Sequence, residues 1–164
     1  KFVRLVLQAN PNILETLWVP VVSFADETGD ELRRIREAFL SRHLYRTYSG
    51  YVLSQFKLME KGFAAGGTYK VKHAMHLLRL LHSGIHALTD GEIRVDVGEH
   101  RDELLAVRHG ERTFAEVKAR ALELDRVFQE AFARTRLPEK PDADRANRFL
   151  IAARRRRAAE SLKG

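Results

Sequence analysis

The chain has 164 residues, of which 45% are hydrophobic and 31% are charged. This length is enough for one ordinary domain with its own core, and the hydrophobic fraction excludes a disordered chain. No apolar run approaches the roughly 18 residues that a transmembrane helix needs. Cysteine is absent, which excludes disulfides and thiolate metal sites and fits a reducing compartment. We therefore expect a cytoplasmic protein.

The formal net charge of +7 is distributed unevenly along the chain. Residues 145–164 carry a net charge of +6, so residues 1–144 are almost neutral. The basic tail contains a run of four arginines, Arg154, Arg155, Arg156 and Arg157. Such a run either binds nucleic acid or forms a solvated helix end, and the sequence leaves both interpretations open.

The chain begins inside an apolar pattern. Apolar residues recur at helical spacing over residues 1–9 with no N-cap before them, and Pro11 is expected to end this helix. Because the first residue is Lys1 rather than Met, we expect the chain to be the C-terminal part of a longer protein. A short apolar element over residues 13–19 has no clear type.

The rest of the chain predicts a mainly α fold. Helices are expected over residues 31–46, 47–61, 68–88, 100–109, 113–134 and 142–160. Thr113 and Glu116 form a capping-box pattern, and a glycine-rich connector is expected over 62–67. Apolar and polar residues alternate over 93–97, which predicts one small β element.

The helix predicted over residues 68–88 carries three basic side chains opposite its leucine stripe. Lys72, His76 and Arg79 follow i, i+4, i+7 spacing and share one helix face. A lysine, a histidine and an arginine on one face suit a triphosphate or an RNA backbone. The alternative is an ordinary solvated helix face.

Aromatic and amide side chains share one side of the preceding helix. Tyr48, Tyr51 and Gln55 either stack on a base and bind its edge, or form the margin of the core. The core interpretation needs no ligand.

Two weaker motifs point to metals. His73 with His76 and His82 with His86 have helical metal-pair spacing, but no carboxylate lies between Lys70 and Thr89. We therefore predict no metal site there. Asp142-Ala143-Asp144 has the spacing of two-metal sites, but its place between prolines and a helix start indicates capping.

A third motif suggests a different activity. Arg36 and His43 are separated by six residues, as in the Arg-x(4–6)-His pair of HEPN-class ribonucleases. Such a pair arises easily by chance in a chain rich in arginine and histidine. A HEPN-type ribonuclease therefore stays as an alternative.

Several motifs together resemble a known family. The chain is similar to the C-terminal part of the predicted nucleotidyltransferases of the DNA polymerase beta superfamily, of the RNA repair pathway type. The stretch Lys72-His73-Ala74-Met75-His76-Leu77-Leu78-Arg79 is the most specific match. The weaker matches are Phe2 to Leu5, Asn10 to Glu15, Gly50-Tyr51 with Gln55, Gly91 to Val95, Leu104 to Glu111 and Leu137 to Asp142.

The resemblance implies that metal binding and nucleotide closure belong to different parts of the whole protein. In this family an N-terminal half carries a Gly-Ser turn and acidic residues that hold two metal ions, and these clamp the NTP. The chain has no Gly-Ser dipeptide, and its only Asp-x-Asp is the capping pair. Residues 1–20 are then the end of the catalytic domain, and residues 21–164 form a C-terminal helical domain with a basic tail. No catalytic residue and no metal ligand is expected in this chain, so Mg²⁺ is bound by residues outside it.

The same resemblance implies the binding residues and the reaction. Six side chains are expected at the nucleotide or its phosphates: Lys72, His76, Arg79, His73, Tyr51 and Gln55. Among them His73 matches the motif but points to the side of the stripe. The whole protein or complex is expected to transfer NMP from an NTP to a hydroxyl acceptor such as RNA. The chain alone is expected to be inactive, and no membrane partner is expected. A non-catalytic, helical nucleic-acid-binding module is the other alternative.

Overall fold

A computed structural model describes residues 1–162, and these residues fold into helices joined by turns. The mainly α prediction is confirmed. The α-helices are α1 (Phe2–Leu7), α2 (Pro11–Glu15), α3 (Glu27–Arg34), α4 (His43–Gly66), α5 (Val71–Asp90), α6 (Arg101–Arg108), α7 (Phe114–Arg134) and α8 (Ala143–Ser161). Two 3-10 helices span Arg36–Phe39 and Gly98–His100. Within residues 1–162, no helix combines the length and the apolar character needed to cross a membrane.

Helix α5 lies at the centre of the fold and packs against α4, α6 and α7. Its apolar stripe is buried as the spacing predicts, with Leu77 and Leu81 fully enclosed. At Gly84 the absent side chain lets Tyr48 of α4 and Phe128 of α7 approach the helix closely. The side of α5 that is left open is the side that carries its basic residues.

The N-terminal residues pack into the same core. Pro11 occupies the first turn of α2 rather than only ending α1, and the side chain of Asn10 caps α2 by accepting a hydrogen bond from the Ile13 amide at 3.2 Å. Val6 and Leu14 are fully buried in one hydrophobic cluster with α4 and α5. The division into residues 1–20 and 21–164 stays a prediction.

The predicted β element over residues 93–97 is wrong, because no strand forms among residues 1–162. Ile93 is buried, and Val95 and Val97 are partly buried against the core. The alternation therefore arises because the apolar side chains of this irregular segment face the core and the polar ones face away from it. Such a segment forms a β-strand only when a second strand pairs with its backbone through hydrogen bonds.

Several predicted helix boundaries are also wrong, whereas the caps are confirmed. The expected helix over 31–46 is divided among α3, the 3-10 helix and the start of α4. Helix α4 then continues without a break through 47–61 and most of the expected 62–67 connector. Gly67, at φ +67°, ends α4 in the left-handed conformation that glycine favours. Thr113 forms the predicted capping box with Glu116.

Candidate functional site

Lys72, His76 and Arg79 share one face of α5, here called the basic face. Lys72 is exposed, whereas His76 and Arg79 are half-buried. Burial lowers the pKa of His76, and the nearby charges of Arg79 and Lys72 add to this effect. His76 is consequently neutral at pH 7, with one ring nitrogen able to donate a hydrogen bond and the other able to accept one.

Arg79 has a carboxylate partner that the sequence did not suggest. Its Nη1 and Nη2 atoms each donate to Oε2 of Glu15 at 3.2 Å. Glu15 ends α2, and its side chain is only 13% exposed. The N-terminal segment is thus joined to the basic face by an ion pair.

The polar residues of α4 also have protein partners. Gln55 Oε1 lies 2.9 Å from His73 Nδ1, and Asn10 Nδ2 donates to Tyr51 Oη at 2.7 Å. Tyr51 and Gln55 are half-buried, so they remain at the edge of the core. Tyr48 is fully buried, and burial raises the pKa of its phenol. For Tyr48, therefore, the core interpretation is correct.

A second group of titratable side chains, here called the histidine cluster, comprises His82, His86, Glu99, His100 and Glu103. The Nε2 atoms of His86 and His100 are 3.3 Å apart. The ring of His100 stacks on that of His82, with centroids 3.7 Å apart, and His82 Nε2 lies 2.8 Å from Glu103 Oε2. Sequence reasoning missed this cluster because its carboxylates follow α5 instead of lying on it.

Neighbouring groups shift the pKa values of Glu103 and His100 in the histidine cluster. The hydrogen bond from His82, with a further one from Arg120 Nε at 2.6 Å, lowers the pKa of Glu103 to about 2. Burial lowers the pKa of His100, and the neighbouring rings of His82 and His86 lower it further. Both effects favour the neutral ring of His100, which has one nitrogen that can accept a hydrogen bond.

One cleft of about 340 Å³ lies between Arg79, at the end of the basic face, and the histidine cluster. Glu15 and Arg79 line it together with His82, His86 and His100. Along α5 the positions 72, 76, 79, 83 and 86 follow helical spacing, so the basic face continues into the histidine cluster.

The sequence comparison identifies the family. The model of the RNA repair pathway DNA polymerase beta family matches residues 1–152. The chain belongs to this family. No curated protein and no solved structure matches the chain significantly. The match includes the basic face and the histidine cluster, and it ends before the arginine run that begins at Arg154.

The arginine run lies on α8, and its four members differ in exposure and in their contacts. Arg154, Arg155 and Arg157 are exposed, and we call them the tail arginines. Arg156 instead forms an ion pair with Glu31 of α3, which fastens α8 to the fold. Lys163, the last basic residue of the tail, lies outside the described residues.

Arg36 of the ribonuclease alternative contacts the segment that follows α2. Its Nη1 donates to the Leu17 carbonyl at 3.4 Å, and its guanidinium lies 5.4 Å from the ring centroid of Trp18. Among residues 1–162, no hydrogen bond joins Arg36 to His43, which begins α4. Arg36 thus has a packing role in the structure.

The chain's carboxylates do not fit the two magnesium ions that the family's fold implies. Asp142 Oδ1 accepts from the Arg145 amide at 2.8 Å, so it caps α8, as predicted. Within residues 1–162, no three carboxylates lie close enough to share an ion, because both groups of candidate ligands contain two histidines. Imidazole-rich sites suit zinc-like ions rather than Mg²⁺.

Proposed function

We propose that the chain is the helical, nucleotide-binding and acceptor-binding part of a cytoplasmic nucleotidyltransferase. The reaction is transfer of NMP from an NTP to a hydroxyl acceptor, with RNA as the acceptor class. The observation that carries this proposal is the basic face of α5 in a chain of the DNA polymerase beta type. A lysine and an arginine on one helix face match the phosphate oxygens of an NTP.

Each residue of the basic face has its own part in this proposal. Lys72, which is exposed, attracts the phosphates as a point charge. Arg79 offers a planar fork once Glu15 gives way, and neutral His76 donates one hydrogen bond. Tyr51 and Gln55 are half-buried on the neighbouring helix α4 and face the base or the acceptor.

The chemistry itself requires groups beyond this chain. Among residues 1–162, no cluster of three carboxylates forms that could hold two Mg²⁺ ions. We therefore propose that an N-terminal catalytic half, in the same polypeptide or in another one, binds Mg²⁺. The chain alone then binds the nucleotide without turning it over.

The decisive test is nucleotide affinity in Lys72→Ala. This side chain is exposed, so its removal leaves the fold intact. Titration of a fluorescent ATP analogue with the chain should show about tenfold weaker binding for Lys72→Ala, which corresponds to roughly 1.4 kcal/mol.

A matched control removes the same charge elsewhere. Lys57 is exposed on α4, away from the side that carries Gln55. Lys57→Ala should bind the analogue as the unmodified chain does. Equal affinity of Lys72→Ala and the unmodified chain would contradict the proposal, and so would equal losses in both variants.

A second candidate function rests on α8. The tail arginines form an exposed positive surface that suits an RNA backbone. In that case the chain binds nucleic acid without nucleotide chemistry, or it presents the acceptor to the nucleotide site. The ribonuclease alternative has no comparable support, because Arg36 is held by Leu17 and Trp18.

A further inference from the structure

We propose that the cleft beside α5 binds one divalent transition-metal ion of the zinc class. The ligands are Nε2 of His86, Nε2 of His100 and the carboxylate of Glu99. The candidate ligand atoms of these three residues all lie within 4.8 Å of one another. The sequence paired His86 with His82, but in this site His86 lies on α5 and the other two ligands lie in the 3-10 helix at Gly98–His100.

The spacing of the two imidazoles matches tetrahedral coordination. Zinc binds histidine nitrogen at about 2.0–2.1 Å, so two nitrogens on one tetrahedral ion lie about 3.3–3.4 Å apart. The Nε2 atoms of His86 and His100 are 3.3 Å apart. Glu99 Oε1 lies 3.8 Å from His100 Nε2, and its side chain is 79% exposed and free to complete the set.

Surrounding groups hold both rings in ligand orientation. His86 Nδ1 lies 3.3 Å from Oδ2 of Asp90, so the ring donates there and directs Nε2 into the cleft. This carboxylate–histidine arrangement is common behind metal-binding histidines. His100 is positioned from its other side by the stacked ring of His82.

Three protein ligands leave a fourth position open toward the cleft. Two imidazoles and one carboxylate favour Zn²⁺, Co²⁺ or Ni²⁺ over Mg²⁺, which prefers oxygen ligands. Because the ligands come from two segments, the ion would fasten the irregular chain between α5 and α6 to α5. Binding should therefore raise the melting temperature of the chain.

Without metal, the same 3.3 Å separation is a hydrogen bond between the two imidazoles. The two explanations differ in an experiment with the EDTA-treated chain. Zn²⁺ titrated by calorimetry should bind with one-to-one stoichiometry in the micromolar range or tighter. Co²⁺ should give the intense visible absorption of a four-coordinate ion, whereas Mg²⁺ at millimolar concentration should leave the melting temperature unchanged.

Two ligand variants and one control decide the assignment. Glu99→Gln and His86→Asn should each weaken Zn²⁺ binding at least tenfold and abolish the rise in melting temperature. His109→Asn is the control, because His109 is 59% exposed beside Glu111 and contributes to neither candidate group. It should bind Zn²⁺ as the unmodified chain does.

Several results would overturn the proposal. Absence of Zn²⁺ binding at 100 µM would leave the two histidines as a hydrogen-bonded pair. Undiminished binding by Glu99→Gln, whose exposed side chain is not needed for folding, would place the ion elsewhere. The same conclusion would follow if His109→Asn lost affinity as strongly as His86→Asn.

Discussion

The guanidinium of Arg79 is held by the carboxylate of Glu15, with both terminal nitrogens 3.2 Å from one oxygen. The two residues are 64 positions apart in sequence and join α2 to α5. Glu15 is mostly buried beside Arg79, so a ligand must displace its carboxylate before the guanidinium can bind phosphate. An anionic ligand at the basic face therefore competes with a carboxylate of the protein.

Removal of that competition should strengthen nucleotide binding. In Glu15→Gln the guanidinium of Arg79 keeps a neutral neighbour but loses its negatively charged partner. We therefore expect a fluorescent ATP analogue to bind three- to tenfold more tightly, which corresponds to about 0.7–1.4 kcal/mol of binding free energy. The control is Glu60→Gln, which removes a carboxylate that pairs with Lys118 instead. If Glu15→Gln bound the analogue less tightly than the unmodified chain, Arg79 would have a purely structural role.

Gly84 of α5 lies too close to neighbouring rings to accept a larger side chain. A Cβ atom there would lie 2.7 Å from Cε2 of Phe128 and 3.1 Å from Cδ1 of Tyr48. Both rings are completely buried, so neither can move aside without disturbing the core. Gly84→Ala should lower the free energy of unfolding by about 1–2 kcal/mol in urea titrations, even though alanine is the better helix former.

Gly50 on α4 provides the matched control for this prediction. No atom lies within 4 Å of the Cβ that an alanine would add there. Gly50→Ala should thus stabilise the chain by about 0.5–1 kcal/mol, because it reduces the freedom of the unfolded chain and favours the helix. A shift in the same direction for both variants would mean that crowding at Gly84 is not the cause.

Local patterns predicted the parts of the fold that local interactions determine. The stripe on α5 and the capping box at Thr113 depend on residues within one or two helical turns, and both are confirmed. The alternation over 93–97 was misleading because its apolar side chains pack on a helical core. A strand needs a pairing partner, and that requirement is not visible in the segment itself.

The candidate site also has a part that local sequence patterns predict and a part that they do not. The basic face lies on one helix, so its shared direction follows from helical spacing alone. The partner of Arg79 and the carboxylates around His82 come from distant segments, and no spacing rule connects them. The signal that was available is the i, i+4 pair of His82 and His86, with His82 in the buried stripe of α5.

Glu103 should make the stability of the chain depend on pH in the acid range. Its hydrogen bonds with His82 and Arg120 lower its pKa from 4.5 to about 2. A carboxyl whose pKa is lowered by folding stabilises the protein above its unfolded pKa, and this contribution is lost as the pH falls from about 4.5 through 2. Urea titrations with EDTA should therefore show a fall in the free energy of unfolding across this window.

Glu103→Gln tests the origin of that dependence. The variant should be less stable at pH 7 by about 1–2 kcal/mol and should lose less stability between pH 5 and pH 2. Glu123→Gln is the control, because Glu123 also pairs with Arg120 but is largely exposed. An unchanged acid slope in Glu103→Gln would assign the dependence to other carboxyls.

The tail arginines should determine how strongly salt weakens RNA binding, if α8 contacts the acceptor. Each phosphate contact on a single strand contributes about 0.7 to the slope of log affinity against log salt concentration. Replacement of Arg154, Arg155 and Arg157 by glutamine should therefore reduce this slope by about 2, measured with a fluorescent single-stranded RNA. Arg156 is retained because its ion pair with Glu31 joins α8 to α3.

Net charge alone must be separated from this local effect of the tail arginines. Three other exposed arginines without ion pairs among residues 1–162 serve as the control: Arg108, Arg126 and Arg136. Replacing these by glutamine removes the same total charge, but it should change the salt slope by less than half as much. If both triple variants lowered the slope equally, RNA would be attracted by the overall positive charge rather than by α8. If neither variant changed it, α8 would be a solvated helix end, and the acceptor would bind elsewhere.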